Sequence, residues 1–195
     1  MADKEVLPST LVGVNRTGLY EIFAKRGYTL GCEVGVREGN NARELFRVIP
    51  NLQLILVDPY TVYEYRNFKK RNKWKWQQPI MNKIRARAMH RLSRNDVIWL
   101  MTTSAHAAPC VKDGLLDFVY IDANHSFDFI TQDLQLWYPK VRHGGVISGH
   151  DFGIRGVNSA VRSFAKFNHL SITKTDYKME RGRSQSVISW MMEKP

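Results

Sequence analysis

The feature that most constrains this fold is a series of short, almost uninterrupted apolar runs, separated by segments with helical spacing. Such runs lack the alternation of a strand with one solvated face, and they are typical of parallel strands covered by helices on both sides. Parallel neighbours need a crossover, and the intervening segments 127–138 and 156–167 are long enough to form helices. The runs that we interpret as strands are residues 28–36, 52–57, 97–102, 115–121 and 146–148.

The end of the chain has a different pattern. Residues 171–176 and 186–192 read as two more strands, and residues 178–184 between them are too few for a crossover helix. We therefore predict an antiparallel hairpin there. The fold class that follows is α/β: a Rossmann-like, doubly wound sheet of seven mostly parallel strands, with helices on both faces and a C-terminal antiparallel hairpin.

The length of 195 residues fits one domain, because a chain of this size buries roughly 70% of the surface that it exposes when unfolded. We predict a single domain over residues 1–195. Its N-terminal segment, residues 1–27, is predicted to be helical, with a helix over residues 11–24 that ends at Gly27.

The chain shows neither a secretory signal at its start nor an apolar run of membrane-spanning length. We therefore expect an intracellular, cytoplasmic location and no membrane partner, while the sequence carries no signal for an oligomeric state. The two cysteines, Cys32 and Cys110, suggest reduced packing residues rather than a disulfide framework.

Two strand ends predict a ligand site. The first strand leads into residues 33–39, where Gly35 and Gly39 allow a tight turn and the next helix points free N–H groups at an anionic group. The second ends at Asp58, about twenty residues on, where a carboxylate can accept hydrogen bonds from ribose hydroxyls. The loop lacks the close-set glycines that admit a pyrophosphate. This favours S-adenosylmethionine (SAM), which has no phosphate, over a nicotinamide or flavin dinucleotide.

Four ordered blocks resemble class I SAM-dependent methyltransferases, in particular a small O-methyltransferase-like branch. Residues 31–39 (GCEVGVREG) resemble the first motif of that class, and residues 57–60 (VDPY) resemble its acidic motif. Residues 120–127 (YIDANHSF), followed by Asp133 and Trp137, are similar to the branch's IDGxHxY block, and residues 144–152 (GGVISGHDF) are similar to its GGxxxGHDY block. The resemblance covers about residues 14–192 and implies SAM as the cofactor. The cofactor-binding residues that we predict are Glu33, Gly35, Val36, Arg37, Gly39, Asp58, Pro59, Tyr60, Ser104 and Asp122, with Tyr60 beside the adenosine and Ser104 near the adenine.

Carboxylates and imidazoles follow the fourth and fifth predicted strands, where the reacting groups of such a sheet belong. We predict Asp122, His125, His150 and Asp151 as catalytic residues that position an acceptor and remove its proton. In metal-dependent relatives, carboxylates at these strand ends hold Mg²⁺. Here Asp122, His125 and Asp151 are the candidate ligands. However, His150-Asp151 replaces the usual pair of metal ligands after the fifth strand, and this departure argues against magnesium.

Three interpretations of this cluster therefore stay open: a divalent metal site, metal-free base catalysis by His125 or Asp122, and a structural role. If these residues have only a structural role, His125 would cap the helix that starts at Ser126, and Asp133 would be an ordinary solvated helix residue.

The net charge of +11 is concentrated in one segment, because residues 66–94 hold eleven basic side chains and no acidic one. We predict that residues 61–95 form a basic helix and loop beside the cofactor. The candidate substrate or nucleic-acid contacts there are Lys69, Lys70, Arg71, Lys73, Trp74, Lys75 and Trp76, because cations can neutralise phosphates while tryptophans stack on bases. A solvated helical face with inward tryptophans is the alternative.

The resemblance favours O-methylation of a small-molecule, anionic or glycan-like acceptor. The charge keeps RNA or DNA methylation as a second hypothesis, and a SAM-binding module without catalysis as a third.

Overall fold

The computed structural model describes residues 7–62, 77–176 and 188–195. Within them, eight strands form one sheet in the order β1-β7-β8-β6-β5-β2-β3-β4. The strands are β1 (Thr10–Val12), β2 (Leu30–Val34), β3 (Gln53–Val57), β4 (Val97–Leu100), β5 (Leu116–Ile121), β6 (Val141–Gly149), β7 (Thr173–Asp176) and β8 (Trp190–Glu193). The helices are α1 (Arg16–Lys25), α2 (Asn40–Val48), α3 (Gln78–Arg91), α4 (Ser104–Ala107), α5 (Phe127–Trp137) and α6 (Arg155–Phe167).

The predicted fold class is confirmed. Neighbouring strands run parallel except at β8, which is antiparallel to both β6 and β7. The pair β7 and β8 is the predicted C-terminal hairpin, and β8 lies between β7 and β6 in the sheet. All seven predicted strands are present among the described residues, although their bounds are shorter than the apolar runs at several ends.

The N-terminal segment differs from the prediction of one helix over residues 11–24. Residues Thr10–Val12 form an eighth strand, which pairs in parallel with β7. Gly13, at a φ of +73°, turns the chain after this strand. The helix α1 then begins at Arg16, because the side chain of Asn15 accepts a hydrogen bond from the N–H of Gly18 and caps it. The partner strand of Thr10–Val12 is about 160 residues away in sequence, so no local pattern marks this pairing.

Apolar side chains leave the sheet on both faces, as the continuous runs predict. On one face, α1, α2 and α3 cover a core that includes Leu54, Leu56 and Phe118. On the other face, α4, α5 and α6 cover Val34, Ile121 and their neighbours. Removing a side chain such as Phe118 from water contributes about 1.5–3 kcal/mol to folding. Among the described residues, helices therefore cover the central strands on both faces, and the strand ends are left as the place for a ligand.

The strand order reverses between β2 and β5. From β2 the chain continues outward to β3 and β4, and it then returns to β5 and β6 on the other side. The carboxyl ends of β2 and β5 therefore border a crevice, which is where open α/β sheets bind ligands. No helix in the described part of the chain is long and apolar enough to span a bilayer.

Candidate functional site

The turn after β2 is built on Gly35. Its φ is +93°, and its N–H donates a hydrogen bond to the carbonyl of Val57 at 2.9 Å. A Cβ at this position would lie 2.3 Å from the carbonyl oxygen of Asp122, so only glycine lets the loops after β2 and β5 approach so closely. Gly39, with a φ of +71°, stands at the start of α2. These two glycines give the loop the tight path that the sequence predicts.

Asp58 connects the end of β3 to this loop. Its Oδ2 accepts hydrogen bonds from the backbone N–H groups of Val36 and Arg37 at 3.1 and 2.9 Å, and its Oδ1 accepts one from the N–H of Tyr60 at 2.9 Å. The side chain is only partly buried, and each carboxylate oxygen can accept more than one hydrogen bond. Asp58 therefore holds the loop in place, a role that the sequence did not predict. Its carboxylate can still accept further hydrogen bonds from a ligand in the crevice.

Tyr60 lies beneath the loop rather than in the crevice. Its side chain is 2% exposed, and its hydroxyl donates a hydrogen bond to the carbonyl of Arg37 at 3.0 Å. Burial raises the pKa of this phenol. The ring packs into the core on the α1–α2 face, and the prediction that Tyr60 lies beside the adenosine stays a prediction. Pro59 precedes it and is half-buried, while the side chain of Arg37 is exposed.

Glu33 is fully buried on β2, and neither of its carboxylate oxygens has a hydrogen-bond partner of normal geometry among the described residues. Burial raises the pKa of Glu33 well above its usual range, and the nearby charge of Asp122 raises it further, while Asn41 and Arg16 act in the opposite direction. A buried acceptor without a donor is costly. A cationic ligand group placed there would supply a further donor and favour the ionised carboxylate, so this residue fits the ammonium of an amino-acid ligand.

Ser104, the first residue of α4, faces α5. Its hydroxyl donates a hydrogen bond to Oδ1 of Asp133 at 2.5 Å and accepts one from Nε1 of Trp137 at 2.8 Å. Asp133 is 3% exposed, so the interpretation of it as a solvated helix residue is wrong. Burial raises the pKa of Asp133 to about 6. The Ser104 hydroxyl therefore joins α4 to α5, and the prediction that it lies near an adenine stays a prediction.

Three side chains from the loops after β5 and β6 form a cluster. Nε2 of His125 lies 2.9 Å from Oδ2 of Asp151 and 3.7 Å from Oδ1 of Asp122. The two carboxylates raise the pKa of His125 to about 9, against the opposing effect of burial. Burial opposes ionisation of Asp151, but its contacts with His125 and His150 outweigh that effect and lower its pKa. At neutral pH the cluster therefore holds one imidazolium between two carboxylates.

The fourth predicted catalytic residue, His150, lies at the edge of this cluster. Its Nδ1 is 3.2 Å from Oδ1 of Asp151, which adopts a left-handed φ of +56°. Such a conformation is costly for a residue other than glycine, although aspartate tolerates it better than most, and it is frequent at functional sites. The backbone here is held by Trp190, whose indole N–H donates to the carbonyl of His150 at 3.1 Å.

His125 does not cap α5, so the capping interpretation is wrong. The N-cap residue is Ser126, and the side chain of Asn124 accepts a hydrogen bond from its N–H at 3.0 Å. The imidazole of His125 instead contacts the carboxylates of Asp122 and Asp151.

The cluster also has the donor set of a divalent metal site. One ligand atom each from Asp122, His125 and Asp151 can be chosen so that all three lie within 4.8 Å of one another. An imidazole and two carboxylates suit several divalent cations. His125 would have to lose its proton to bind such an ion, and its raised pKa opposes that at neutral pH.

The predicted substrate contacts Lys69, Lys70, Arg71, Lys73, Trp74, Lys75 and Trp76 lie outside the described residues. The C-terminal part of the basic segment is described and forms α3, which borders the glycine loop. Arg87 forms an ion pair with the Glu38 side chain at 3.1 Å, and Arg91 donates a hydrogen bond to the Glu38 carbonyl. Lys83 and Arg85 are exposed on the same helix. A basic helix therefore lies beside the loop, and the prediction that residues 61–95 border the cofactor stays a prediction.

Comparisons with known proteins agree with this geometry. Residues 32–152 match the sequence model of a family described as a methyltransferase domain. No protein with curated annotation matches the chain in sequence.

Solved structures share the fold. The O-methyltransferase TomG from Streptomyces achromogenes, involved in tomaymycin synthesis and solved in complex with SAM, is 15% identical, with a TM-score of 0.59 over 92% of this chain and 79% of that one. An O-methyltransferase from Bacillus cereus, solved in complex with S-adenosylhomocysteine (SAH), is 15% identical, with a TM-score of 0.62 over 91% of this chain and 80% of that one.

Proposed function

The chain belongs to the methyltransferase-domain family, and from that premise we propose that it uses SAM to methylate a hydroxyl group of a small-molecule, anionic or glycan-like acceptor. The observation that carries the proposal is the position of the Asp122–His125–Asp151 cluster. The backbone of Asp122 packs against Gly35, so the cluster adjoins the loop that would hold the cofactor.

The cofactor half of the proposal rests on three carboxylates and a loop. Asp58 would accept hydrogen bonds from the ribose hydroxyls, and residues 35–39 would border the amino-acid portion. Glu33 would bind the ammonium, because its buried oxygens have no normal hydrogen bond among the described residues. Asp122 would close the cofactor site on the side of the acceptor.

Bound SAM supplies a methyl group that is already activated by the sulfonium. The chain's own residues then have two tasks, namely to align the acceptor oxygen and to take its proton. Asp122 is the better acceptor of that proton near neutral pH, because the raised pKa of His125 keeps its imidazole protonated. His125 would instead donate toward Asp122 and Asp151 and hold both carboxylates in place.

A divalent cation at Asp122, His125 and Asp151 is the alternative, and magnesium is the ion that the family resemblance suggests. Such an ion would acidify a bound hydroxyl and make a protein base unnecessary. Methyl transfer that continues unchanged in excess EDTA supports the metal-free mechanism. A loss of activity that Mg²⁺ restores would assign the cluster to metal binding.

The direct test of the function measures transfer of a labelled methyl group from SAM to a panel of sugars, phenols and anionic hydroxyl compounds. We expect labelled methyl ethers with one class of acceptor, and stoichiometric SAH. If the protein binds SAM but no hydroxyl compound is methylated, while an amine or thiol is, the O-methylation proposal is wrong.

Nucleic acid is the second candidate acceptor, because the basic helix α3 borders the cofactor loop and exposes Lys83 and Arg85. An RNA or DNA substrate would be bound through phosphates, so its affinity would fall steeply with salt. Binding that is absent even at low ionic strength would exclude this candidate. A SAM-binding module without catalysis, the third hypothesis, predicts cofactor binding with no methyl transfer to any acceptor.

A further inference from the structure

One cation borders the predicted cofactor site and has no assigned role. Arg16 opens α1, and its Nη1 lies 3.9 Å from Oδ2 of Asp122. That distance is too long for a hydrogen bond, and the side chain is 36% exposed. The first turn of α1 is held in place, because the hydroxyl of Thr17 donates a hydrogen bond to Oε1 of Glu44 on α2 at 2.8 Å. Arg16 is therefore a positioned guanidinium beside the crevice.

The surrounding buried groups are weakly hydrogen-bonded, because Asn41 interacts with Glu33 only in poor geometry. Glu33 has two buried oxygens that lack a hydrogen bond of normal geometry, and the buried Nδ2 of Asn41 also lacks one. Oδ1 of Asn41 is already used, because it accepts a hydrogen bond from the Tyr20 hydroxyl at 2.5 Å. The same small region thus offers a carboxyl group, an amide donor and a guanidinium.

The guanidinium also contacts the Tyr120 hydroxyl, and Tyr120 is the residue paired with Glu33 across β2 and β5. Its positive charge lowers the pKa of Glu33 and, in the same direction, those of the Tyr20 and Tyr120 hydroxyls. Glu33 and Tyr120 are paired neighbours on β2 and β5, so Arg16 lies above the point where the strand order reverses. An α-amino acid presents an ammonium and a carboxylate on one carbon. A buried carboxylate and a nearby guanidinium match those two charges.

We infer that Arg16 is a further cofactor-positioning residue, whose guanidinium binds the carboxylate of the amino-acid portion of SAM while Glu33 binds its ammonium. This inference rests on the proposed function, since it concerns the cofactor site named there. The Nδ2 group of Asn41 provides a second donor in the same region. Arg16 selects nucleosides that carry an intact amino acid and rejects those that have lost its carboxylate.

The test compares two nucleosides by titration calorimetry: SAH, and decarboxylated SAM, which keeps an amine but has no carboxylate. Loss of one charge-assisted contact in Arg16→Gln is expected to weaken SAH binding by about 10- to 100-fold. The affinity for decarboxylated SAM is expected to change by less than about 2-fold, because that ligand has no partner for the guanidinium. Lys25→Gln, which removes a charge from the exposed far end of α1, is the matched control and should leave both affinities unchanged.

The outcomes separate the possible roles of Arg16. Equal weakening of both nucleosides would mean that Arg16 only supports the fold, and unchanged SAH binding would also overturn the inference. Unchanged SAH binding with a raised KM for the acceptor would assign Arg16 to the acceptor instead. If the wild-type protein binds SAH and Arg16→Gln binds it equally well, only this inference fails. If the wild-type protein binds neither nucleoside, the proposed function fails with it.

Discussion

The imidazole of His125 lies 2.9 Å from the carboxylate of Asp151, although the two side chains come from loops that follow different strands. Parallel pairing of β5 and β6 brings those loops together, with Ile121 opposite Gly149 at the strand ends. The contact depends on the sheet register, since a shift of either strand would separate the two charges. The charge state of His125 is therefore set by two carboxylates, one of which, Asp122, is close in sequence, while the other, Asp151, is brought near by the sheet.

The pH dependence of stability should report this contact. The two carboxylates raise the pKa of His125 from an ordinary 6.5 to about 9 in the folded protein. Because the pKa of His125 is higher in the folded than in the unfolded protein, its protonation stabilises the folded state. This stabilisation is fully present below pH 6.5 and is lost as the pH rises through about 9. Urea denaturation between pH 6 and pH 10, in EDTA, should therefore show wild type losing more stability than His125→Gln. Parallel curves for the two proteins would contradict the assignment.

Gly35→Ala should be strongly destabilising, because the added methyl group would lie 2.3 Å from the carbonyl oxygen of Asp122. We expect a loss of more than about 2 kcal/mol in the free energy of unfolding. Gly114→Ala is the matched control, since Gly114 also has a positive φ but no atom within 4 Å of the added Cβ. Its cost should be only the backbone strain, about 1–2 kcal/mol. Equal losses in the two variants would show that the close approach at Gly35 is unimportant.

Ser104→Ala should destabilise the protein by about 1–3 kcal/mol, because it removes the hydrogen bonds of two buried groups on α5. These groups are the Asp133 carboxylate and the Trp137 indole N–H. Ser163→Ala, at an exposed position of α6, is the control and should have almost no effect. The pKa of Asp133 is about 6, and since Ser104 is the contact that lowers it, the variant should raise it. A variant as stable as wild type at neutral pH would contradict this role.

Much of this molecule follows from patterns that are visible in the sequence. Continuous apolar runs predict a parallel sheet, and the short connection before residue 186 predicts the hairpin of β7 and β8. The positions of Gly35 and Asp58 after two of these strands predict the crevice. These features are local in the sequence, so the chain's own periodicity reveals them.

Other features depend on contacts between distant residues. The strand at Thr10–Val12 is too short to have a recognisable period, and it exists because β7 pairs with it. Tyr60 and Asp133 are polar residues whose burial is decided by neighbouring elements, so they were expected in a crevice or in solvent. Arg16 lies outside every recognised motif, and its position beside Asp122 depends on how α1 packs against the sheet.

Asp122→Asn should lower kcat by about 100- to 10,000-fold if Asp122 takes the acceptor proton. Its affinity for SAH should change far less, because the amide keeps the shape of the side chain. Asp128→Asn, at an exposed position in the first turn of α5, removes a carboxylate away from the cluster and should retain wild-type kcat. Turnover of Asp122→Asn at the wild-type rate would rule out Asp122 as the base.

The central claim is that the crevice at the carboxyl ends of β2 and β5 holds a nucleoside through Asp58, which follows the adjacent strand β3. A crystal structure of the protein grown with saturating SAH tests it most directly. We expect the ribose hydroxyls within hydrogen-bond distance of the Asp58 carboxylate and the ammonium against Glu33. A crevice without the nucleoside under those conditions, or a nucleoside whose ribose makes no contact with Asp58, would contradict the account.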